Sequence, residues 1–389
     1  MSVKSEWEIL QAHMERCQYK YCDGFALAAA AYISRAWPSD PLWVLIVAPP
    51  GSGKSCTLML FSDCPQIELL SSATPASFIT AWGGNGEDTS LFARCHENLI
   101  VLKDLGTILS QGWESTHAIF SMLREAFDGQ ITRAFANVVR SYDLHFNIVA
   151  GATDAARGAA QLFQHLGERF VYFDLEPPSL SWPLPEIDPA LKGIVAVWVA
   201  QFEGEEPSMT AYEDAAVFEM AELVALLRTI VSHNRTTGEI TDIPRPEQPT
   251  RLAKQLRKLF MAVKMLSGDA QYAARLCQET ALATVPQQRL QVLEMLQADA
   301  ILSTKDVVER TGLGGSVCRI LLNDMRVLGI LQESMGDDTS DRARYYGIPT
   351  DLAVALGQRL SVNPFGLSPK LKKPTRPKKN RRKPKQTKR

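Results

Sequence analysis

Short blocks of apolar residues alternate with longer amphipathic segments through the first 176 residues of the chain. A short apolar run bounded by turn residues is typical of a strand that is buried on both faces. Segments with apolar residues at every third or fourth position are typical of helices that cover such strands. The pattern therefore predicts an α/β fold in which a parallel sheet lies between helices. The predicted strands are 42–47, 67–70, 99–102, 145–150 and 170–173.

The pattern changes twice after residue 176. A proline-rich stretch at 177–185 predicts a linker, and helical periodicity then continues to about residue 286. Residues 287–349 indicate a helix, a helix-turn-helix and a β-hairpin, which is the layout of a winged helix. The predicted boundaries are 1–40 for an N-terminal helical segment, 41–176 for the α/β domain, 177–286 for a helical domain, 287–349 for the winged helix, 350–367 for a short helix and linker, and 368–389 for a basic tail.

A glycine-rich loop follows the first predicted strand. It runs from Ala48 to Ser55, ends on Gly-Lys-Ser, and begins with Ala where this pattern usually has Gly. Small residues let several backbone N–H groups contact phosphate oxygens, while Lys54 adds a positive charge and the Ser55 hydroxyl suits Mg²⁺. The loop therefore predicts a site for a nucleoside triphosphate and Mg²⁺. The residues expected to contact the nucleotide are Pro50, Gly51, Ser52, Gly53, Lys54, Ser55 and Cys56.

A carboxylate is the expected partner of this loop. In phosphate-loop ATPases an acid on a neighbouring strand helps to hold Mg²⁺, and a further residue orients the attacking water. The strand at 99–102 is followed by Lys103, Asp104 and Leu105, so the usual Asp-Glu pair is missing. Two alignments are open. Either Asp104 is the metal-side acid and Leu105 stands where a base is expected, or Lys103 replaces the first acid and Asp104 is the base.

Positive charge is concentrated at the C-terminal end of the chain. The formal net charge is −1, but residues 368–389 contain twelve Lys and Arg and no acidic residue. The remainder has 30 Lys and Arg against 43 Asp and Glu. Such a basic segment buries too little apolar surface to fold alone, so we expect it to be disordered. It suits a polyanion such as DNA, although a solubilising or localisation role is the alternative. The acidic body predicts that any DNA contact is local.

Composition narrows the class of protein further. An apolar content of 46% supports sizeable cores, yet no apolar run is long enough to cross a membrane. The first ten residues lack the apolar block of a signal peptide. The seven Cys residues are scattered without paired spacing, as in a reducing compartment. These observations predict a cytoplasmic protein that makes no membrane contact.

The order of these parts resembles that of the AAA+ ATPases over residues 1 to about 290. The phosphate loop, the strand ending at Asp104, the strand end at 151–154 and the segment 166–170 occur in that family's order. The Lys-Asp strand end and the segment 122–129 are similar to AAA+ proteins of phages and mobile elements, akin to the minichromosome-maintenance helicases. The resemblance implies a P-loop AAA+ parallel sheet flanked by helices, with the helical domain as its lid.

The resemblance also implies roles for three further residues. Thr153 would sense the γ-phosphate, Arg169 would be an arginine finger that reaches a neighbour's nucleotide, and Arg251 would be a nucleotide-sensing lid arginine. From the residues alone, the alternatives are a strand-end cap, an ion pair and a first-turn surface cation, respectively. An arginine that acts between subunits implies a homo-oligomeric ring, expected to be a hexamer.

Four arginines are candidate DNA contacts. Arg133 and Arg140 lie where the helicase-like branch has a hairpin that projects into the ring, and an ordinary connection with solvated arginines is equally open. In the predicted winged helix, the third helix would present Arg319 to a major groove and Arg344 would meet the DNA backbone. The weak net charge of this domain leaves protein contact, including contact with other replication proteins, as the alternative.

These features together predict an ATP-dependent, DNA-remodelling ATPase, a helicase-like replication motor of a phage or mobile element. The first alternative is a DNA-bound initiator or helicase loader with slow turnover, which the missing acid pair and the winged helix favour. The second alternative is a signalling switch ATPase whose winged helix packs on the nucleotide.

Overall fold

The computed structural model of the protein describes residues 3–16, 22–81, 87–136, 138–155, 169–176, 189–234, 236–242, 245–335, 344–350 and 352–353. The helices are α1 (Val3–Arg16), α2 (Cys22–Ile33), α3 (Lys54–Met59), α4 (Pro75–Phe78), α5 (Gly106–Leu109), α6 (Trp113–Phe127), α7 (Ala190–Ala200), α8 (Ala211–Arg228), α9 (Thr250–Ser267), α10 (Ala270–Leu282), α11 (Gln287–Ala298), α12 (Thr304–Thr311) and α13 (Gly315–Val327). The strands are β1 (Trp43–Val47), β2 (Ile67–Leu70), β3 (Leu99–Leu102), β4 (Gln130–Ala134), β5 (Val139–Asp143), β6 (Asn147–Ala152), β7 (Val171–Asp174), β8 (Ser232–His233), β9 (Ile240–Asp242), β10 (Leu302–Ser303), β11 (Gln332–Met335) and β12 (Arg344–Gly347).

The centre of the fold is a five-stranded parallel sheet in the order β2, β3, β6, β1, β7. β6 therefore lies between β1 and β3, although it follows both of them in the chain. The register pairs Val47 with Ala152 and Leu102 with Ala150, so these three strands end at the same edge. We call this the carboxyl edge of the sheet, and the opposite one the amino edge. The five strands predicted from the apolar pattern are all present, which confirms the α/β class.

Both faces of the sheet are covered by apolar cores, as expected for strands that are apolar throughout. On β1, Val44 and Ile46 point into one core, whereas Trp43, Leu45 and Val47 point into the other. The first core also contains residues of α1, α2 and the helices α7 to α10. The second core is completed by α4, α5 and α6.

The N-terminal helices and the helices that follow residue 189 belong to the same layer. The ring of Trp7 on α1 lies 6.2 Å from the ring of Phe25 on α2 and 5.5 Å from that of Trp198 on α7. The amphipathic helix α9 packs against α2, α8 and α10. The segments that the sequence divides into 1–40 and 177–286 therefore share one hydrophobic core.

A buried asparagine connects this helical layer to the sheet. The Asn147 side chain accepts a hydrogen bond from the backbone N–H of Leu42 at 2.7 Å. It donates to the backbone carbonyl of Ala31 at 2.8 Å and to the Ser34 hydroxyl at 3.1 Å. Asn147 is fully buried, and an unpaired amide there would cost stability. The three bonds thus hold β6 beside the start of β1 and the end of α2.

Residues 287–350 form a C-terminal unit of three helices, α11 to α13, and a small antiparallel sheet in the order β10, β12, β11. The side chain of Ser303 caps α12 by accepting from the backbone N–H of Asp306, whose carboxylate in turn accepts from the backbone N–H of Ser303. This reciprocal cap satisfies backbone N–H groups at the start of α12.

A short hairpin, β8 and β9, precedes α9 and was not predicted. It is built from two- and three-residue strands without an alternating apolar pattern, so periodicity gives no signal for it. The hairpin lies against the C-terminal unit, where His233 Nε2 is 2.8 Å from the Asp324 carboxylate on α13.

Three predicted segments fall outside the described residues: the linker at 177–185, most of 350–367, and the basic tail at 368–389. Within the described part of the chain, no helix has the length and apolar character needed to span a bilayer.

Gly151 allows β6 and the end of β3 to approach closely. A Cβ atom at this position would lie 2.6 Å from the backbone carbonyl oxygen of Lys103. The backbone N–H of Leu105 donates to the carbonyl of Gly151 at 2.7 Å, so the two segments are also hydrogen-bonded. A side chain at residue 151 must therefore displace the segment that carries Asp104.

We expect Gly151→Ala to lower the free energy of unfolding by about 1–3 kcal/mol, because the added methyl overpacks a backbone contact. Urea denaturation monitored by circular dichroism measures this change. Gly193→Ala is the matched control, since an added Cβ on this exposed α7 residue meets no atom within 4 Å. The control should be neutral or stabilise the protein by up to about 1 kcal/mol. Equal unfolding energies for Gly151→Ala and the wild type would contradict the close-approach argument.

Candidate nucleotide site

The phosphate loop leaves the carboxyl edge of β1 and enters α3. Gly51 and Gly53 have φ values of +76° and +84°, a backbone conformation that residues with a side chain rarely adopt. The loop therefore depends on glycine at both positions for its shape. This is the local reason why the sequence pattern is informative here.

The side chain of Lys54 folds back over the loop. Its Nζ atom donates to the carbonyl oxygens of Ala48 at 2.6 Å and Pro49 at 2.8 Å, and it is 3.5 Å from the Ser52 hydroxyl. Ser52, which is 4% exposed, donates to the Pro49 carbonyl at 2.7 Å. Burial lowers the pKa of Lys54, while the nearby carboxylates of Asp104 and Asp154 act in the opposite direction. The ammonium group is thus held at the mouth of the loop.

The other predicted contact residues have different surroundings. Pro50, Ser55 and Cys56 are exposed, so they line the open side of the loop and of the first turn of α3. The Ser55 hydroxyl forms no hydrogen bond with another described residue, and it is accessible to a ligand.

Asp104 lies on the same edge, directly after β3. Its side chain is exposed, and Oδ1 accepts a hydrogen bond from the backbone N–H of Gly106 at 2.8 Å. Leu105, in contrast, is fully buried in the core below. Leu105 therefore offers no group to the site, and Asp104 is the acid contributed by this strand end.

Thr153 and Asp154 follow β6 and lie between the phosphate loop and the end of β3. The backbone N–H of Ala48 donates to the carbonyl of Ala152 at 3.1 Å, which fixes this strand end beside the loop. Thr153 is half-buried and Asp154 is exposed. The negative charge of Asp154 acts on the pKa of Lys54, as that of Asp104 does. Asp154 was not predicted as a site residue, because only the position of β6 brings it here.

The oxygen groups at this edge fit Mg²⁺. The Ser55 hydroxyl and the Asp104 carboxylate were the predicted ligands, and Asp154 adds a second carboxylate. Mg²⁺ prefers oxygen ligands and is usually held by one or two protein groups together with substrate phosphates. Among the described residues, no group of three or more His, Cys, Asp or Glu is arranged to bind a metal ion.

Arg169 lies at the amino edge of the sheet, away from the phosphate loop of its own chain. It precedes β7, whose first residue Val171 pairs with Val44 near the start of β1. The loop follows the other end of β1, which spans about 16 Å at about 3.3 Å per residue. Arg169 therefore lies about one strand length from the phosphate loop of its own chain.

The Arg169 side chain is largely buried, with 9% of its surface exposed. Its Nη2 atom is 3.3 Å from both carboxylate oxygens of Asp128, and its guanidinium lies 5.4 Å from the centre of the Phe127 ring. The Nε atom has no hydrogen-bond partner in the described part of the chain. Burial, and then the positive charge of Arg251, lower the pKa of Arg169.

Arg251 lies beside Arg169 rather than beside Lys54. Both Arg251 and Gln255 are on α9, four residues apart and therefore on one face of the helix. The Gln255 side chain donates to the backbone carbonyl of Arg169 at 2.6 Å, which places this face of α9 against the start of β7. Arg251 Nη1 is 3.3 Å from the Glu247 carboxylate. The predicted arginine finger, Arg169, and the predicted lid arginine, Arg251, thus lie close together at the amino edge.

The segment at 130–143 is a β-hairpin, because β4 and β5 pair along their whole length. Both of its candidate DNA contacts are engaged with carboxylates. Arg133 forms two hydrogen bonds with Glu125, at 2.7 and 2.8 Å. Arg140 is 3.4 Å from Asp88. These arginines are therefore charge-compensated in the structure, which differs from the expectation of solvated or freely available cations.

The remaining candidates, Arg319 and Arg344, belong to the C-terminal unit. They line a common cavity with residues of the β8–β9 hairpin. This cavity is separate from the phosphate loop, since none of the lining residues that the structure describes belongs to the loop or to the strand ends beside it.

We expect Lys54→Ala to weaken ATP binding by about 10- to 100-fold, since a charge-assisted hydrogen bond contributes about 1.5–3 kcal/mol. Titration of a fluorescent ATP analogue in the presence of Mg²⁺ measures the dissociation constant. Lys254→Ala is the matched control, because this half-exposed lysine pairs with Asp40, at the turn before the start of β1. Unchanged affinity in Lys54→Ala would rule out the phosphate-loop assignment.

Comparison with known proteins gives no family assignment for this site. No protein-family model matches the chain, and a search of curated proteins finds no match. What connects the chain to nucleotide chemistry is therefore its own geometry, namely the loop at 48–55 and the acids beside it.

Proposed function

We propose that this protein is an ATPase of the AAA+ kind, in which Mg²⁺ and ATP bind at the carboxyl edge of the sheet. The observation that carries the proposal is that the phosphate loop, Asp104, Thr153 and Asp154 all lie at that edge. Three separate strand ends supply these groups. Their convergence favours a nucleotide site over a loop that is merely structural.

The residues at this edge divide the chemical work between them. The loop backbone and Lys54 would bind the phosphates, and Ser55 and Asp104 would hold Mg²⁺, which would supply positive charge beside the transferred phosphoryl group. Thr153 positions the γ-phosphate. A carboxylate, either Asp104 or Asp154, orients the attacking water and accepts its proton.

Arg169 supplies the last group of the site in a neighbouring subunit. Its position, about one strand length from the loop of its own chain, favours a contact with the nucleotide of a neighbour. Arg251, close to Arg169, approaches the same nucleotide. We therefore propose a homo-oligomeric ring, with a hexamer as the expected form.

We further propose that ATP hydrolysis drives the remodelling of DNA, as in a helicase-like replication motor of a phage or mobile element. The basic tail, the β4–β5 hairpin and the C-terminal unit, which we interpret as a winged helix beyond a helical lid, support a DNA partner. The same unit could instead dock other replication proteins.

A second candidate is a DNA-bound initiator or helicase loader with slow turnover. The buried position of Leu105 favours it, because the strand that carries Asp104 contributes no second acid to polarise water. Asp154 would then have to polarise the attacking water. Because it lies on a different strand end from Asp104, we expect its orientation toward the water to be less favourable and turnover to be slower. For a signalling switch, the remaining alternative, no observation on the described residues gives specific support.

We expect single-stranded DNA to raise the ATPase rate several-fold over the rate without DNA. A motor couples turnover to the strand on which it moves, whereas an initiator should bind duplex DNA with ATP and hydrolyse it slowly. Steady-state phosphate release with no DNA, single-stranded DNA and duplex distinguishes the two, alongside unwinding of a forked duplex. A rate that is independent of both DNA forms would contradict the DNA-coupled proposal and favour a switch.

We expect Arg169→Ala to retain ATP binding but to lose turnover by about 10³-fold, as for other arginine fingers. An equal mixture with Lys54→Ala should recover activity that neither variant has alone, because Arg169 of one subunit then completes the intact loop of the other. Asp128→Asn is the matched control, since it removes the ion pair but keeps the guanidinium. If the mixture stays inactive, or if Asp128→Asn is as impaired as Arg169→Ala, Arg169 has a structural role only.

A further inference from the structure

A cavity of about 840 Å³ lies in the C-terminal unit, outside the nucleotide site. Four elements form its walls: the β8–β9 hairpin, the start of α12, one face of α13 and the strand β12. Its lining includes His233, Lys305, Arg319, Asn323, Arg344 and Tyr345. A volume of this size accommodates a small ligand or a few residues of an extended polymer.

The face of α13 that was expected to enter a major groove forms one wall of this cavity. Arg319 and Asn323 lie on this face, and the hairpin, α12 and β12 stand around it. A helix that contacts base edges must project into a groove about 12 Å wide and about 8.5 Å deep. Because the hairpin, α12 and β12 flank this face, we expect a single strand to reach it more readily than a duplex.

The hairpin is fixed to α13 at the side of this cavity. His233 Nε2 is 2.8 Å from the Asp324 carboxylate, and Nδ1 is 3.0 Å from the carbonyl oxygen of Gly238. Both His233 and Asp324 are partly exposed, with 21% and 14% of their side-chain surface accessible. The wall formed by the hairpin is therefore fixed to α13 by a side-chain contact between His233 and Asp324.

The lining is positively charged. Lys305, Arg319 and Arg344 face the cavity, and none of the described lining residues is an Asp or a Glu. Arg344 is 3.2 Å from Glu333, and Lys305 is 3.9 Å from Glu309, so these two charges are partly compensated. Arg319 forms no ion pair with another described residue. An anion that enters the cavity meets at least this one uncompensated charge.

Apolar and aromatic surface lies beside these cations. Tyr345 and Ile320 line the same cavity, and the Ile320 side chain is 44% exposed. Cations that follow a backbone, next to an aromatic ring on which a base stacks, are the features of single-strand binding sites. We propose that this cavity binds a segment of unpaired DNA, with phosphates at Lys305, Arg319 and Arg344 and a base against Tyr345. The inference rests on the proposed DNA partner but does not depend on ATP hydrolysis.

The test measures binding of a fluorescent fifteen-residue oligothymidylate to the full-length protein without nucleotide, by anisotropy at several salt concentrations. Arg319→Ala should weaken binding about tenfold and reduce the slope of log K against log salt by about 0.7, as for the loss of one phosphate contact. Arg319→Lys keeps the charge and should keep the slope. Arg310→Ala, which removes a paired surface arginine of α12 outside the cavity, is the matched control and should leave binding unchanged.

Three results would overturn the inference. The first is equal weakening by Arg319→Ala and Arg310→Ala, which would indicate general charge attraction. The second is a larger loss of affinity for a duplex of the same length than for oligothymidylate in Arg319→Ala, which would indicate major-groove contact by α13. The third is that Arg319→Ala loses binding of polyglutamate but keeps binding of oligothymidylate, which would identify an acidic protein as the occupant. The Lys54→Ala variant should bind the oligonucleotide normally, so failure of the ATPase proposal would leave this test intact.

Discussion

The position of β6 between β1 and β3 is the constraint on which the candidate nucleotide site depends. Backbone hydrogen bonds from Ala48 to Ala152 and from Leu105 to Gly151 align the three strand ends within a few ångströms. The absence of a side chain at Gly151 permits the second contact. Asn147 anchors the opposite end of β6 to α2 and to the start of β1. The site is thus positioned by rigid backbone rather than by loops.

Charge is distributed differently at the two edges of the sheet. At the carboxyl edge, Lys54 donates to loop carbonyls, and Asp104 and Asp154 are nearby, where we propose that phosphate and Mg²⁺ bind. At the amino edge, Arg169 is largely buried over the Phe127 ring and beside Asp128, and the half-buried Arg251 is close to it. Bringing two guanidinium groups close together is unfavourable unless anions compensate them. The ion pairs with Asp128 and Glu247 provide part of that compensation, and a phosphate of a neighbouring subunit would provide more.

Local signals account for most of what the sequence predicted correctly. Apolar runs located the five sheet strands, and the glycines of the loop are the residue type that its positive φ angles require. The β8–β9 hairpin, the place of Asp154 beside Lys54 and the pairing of Arg251 with Arg169 were not predictable in this way. Each depends on strand order or on contacts between residues distant in the chain, and periodicity carries no information about either.

The bond between Gln255 and the Arg169 carbonyl has a mechanical consequence. It joins the segment that carries the guanidinium to α9, which in turn packs on α2, α8 and α10. In the proposed ring, Arg169 would bind a phosphate of the neighbouring subunit. Any displacement of Arg169 on binding would then be transmitted to α9 as well as to the arginine side chain. Release of that phosphate would let the whole helical layer relax, so each subunit would register the occupancy of the next one through the displacement of α9.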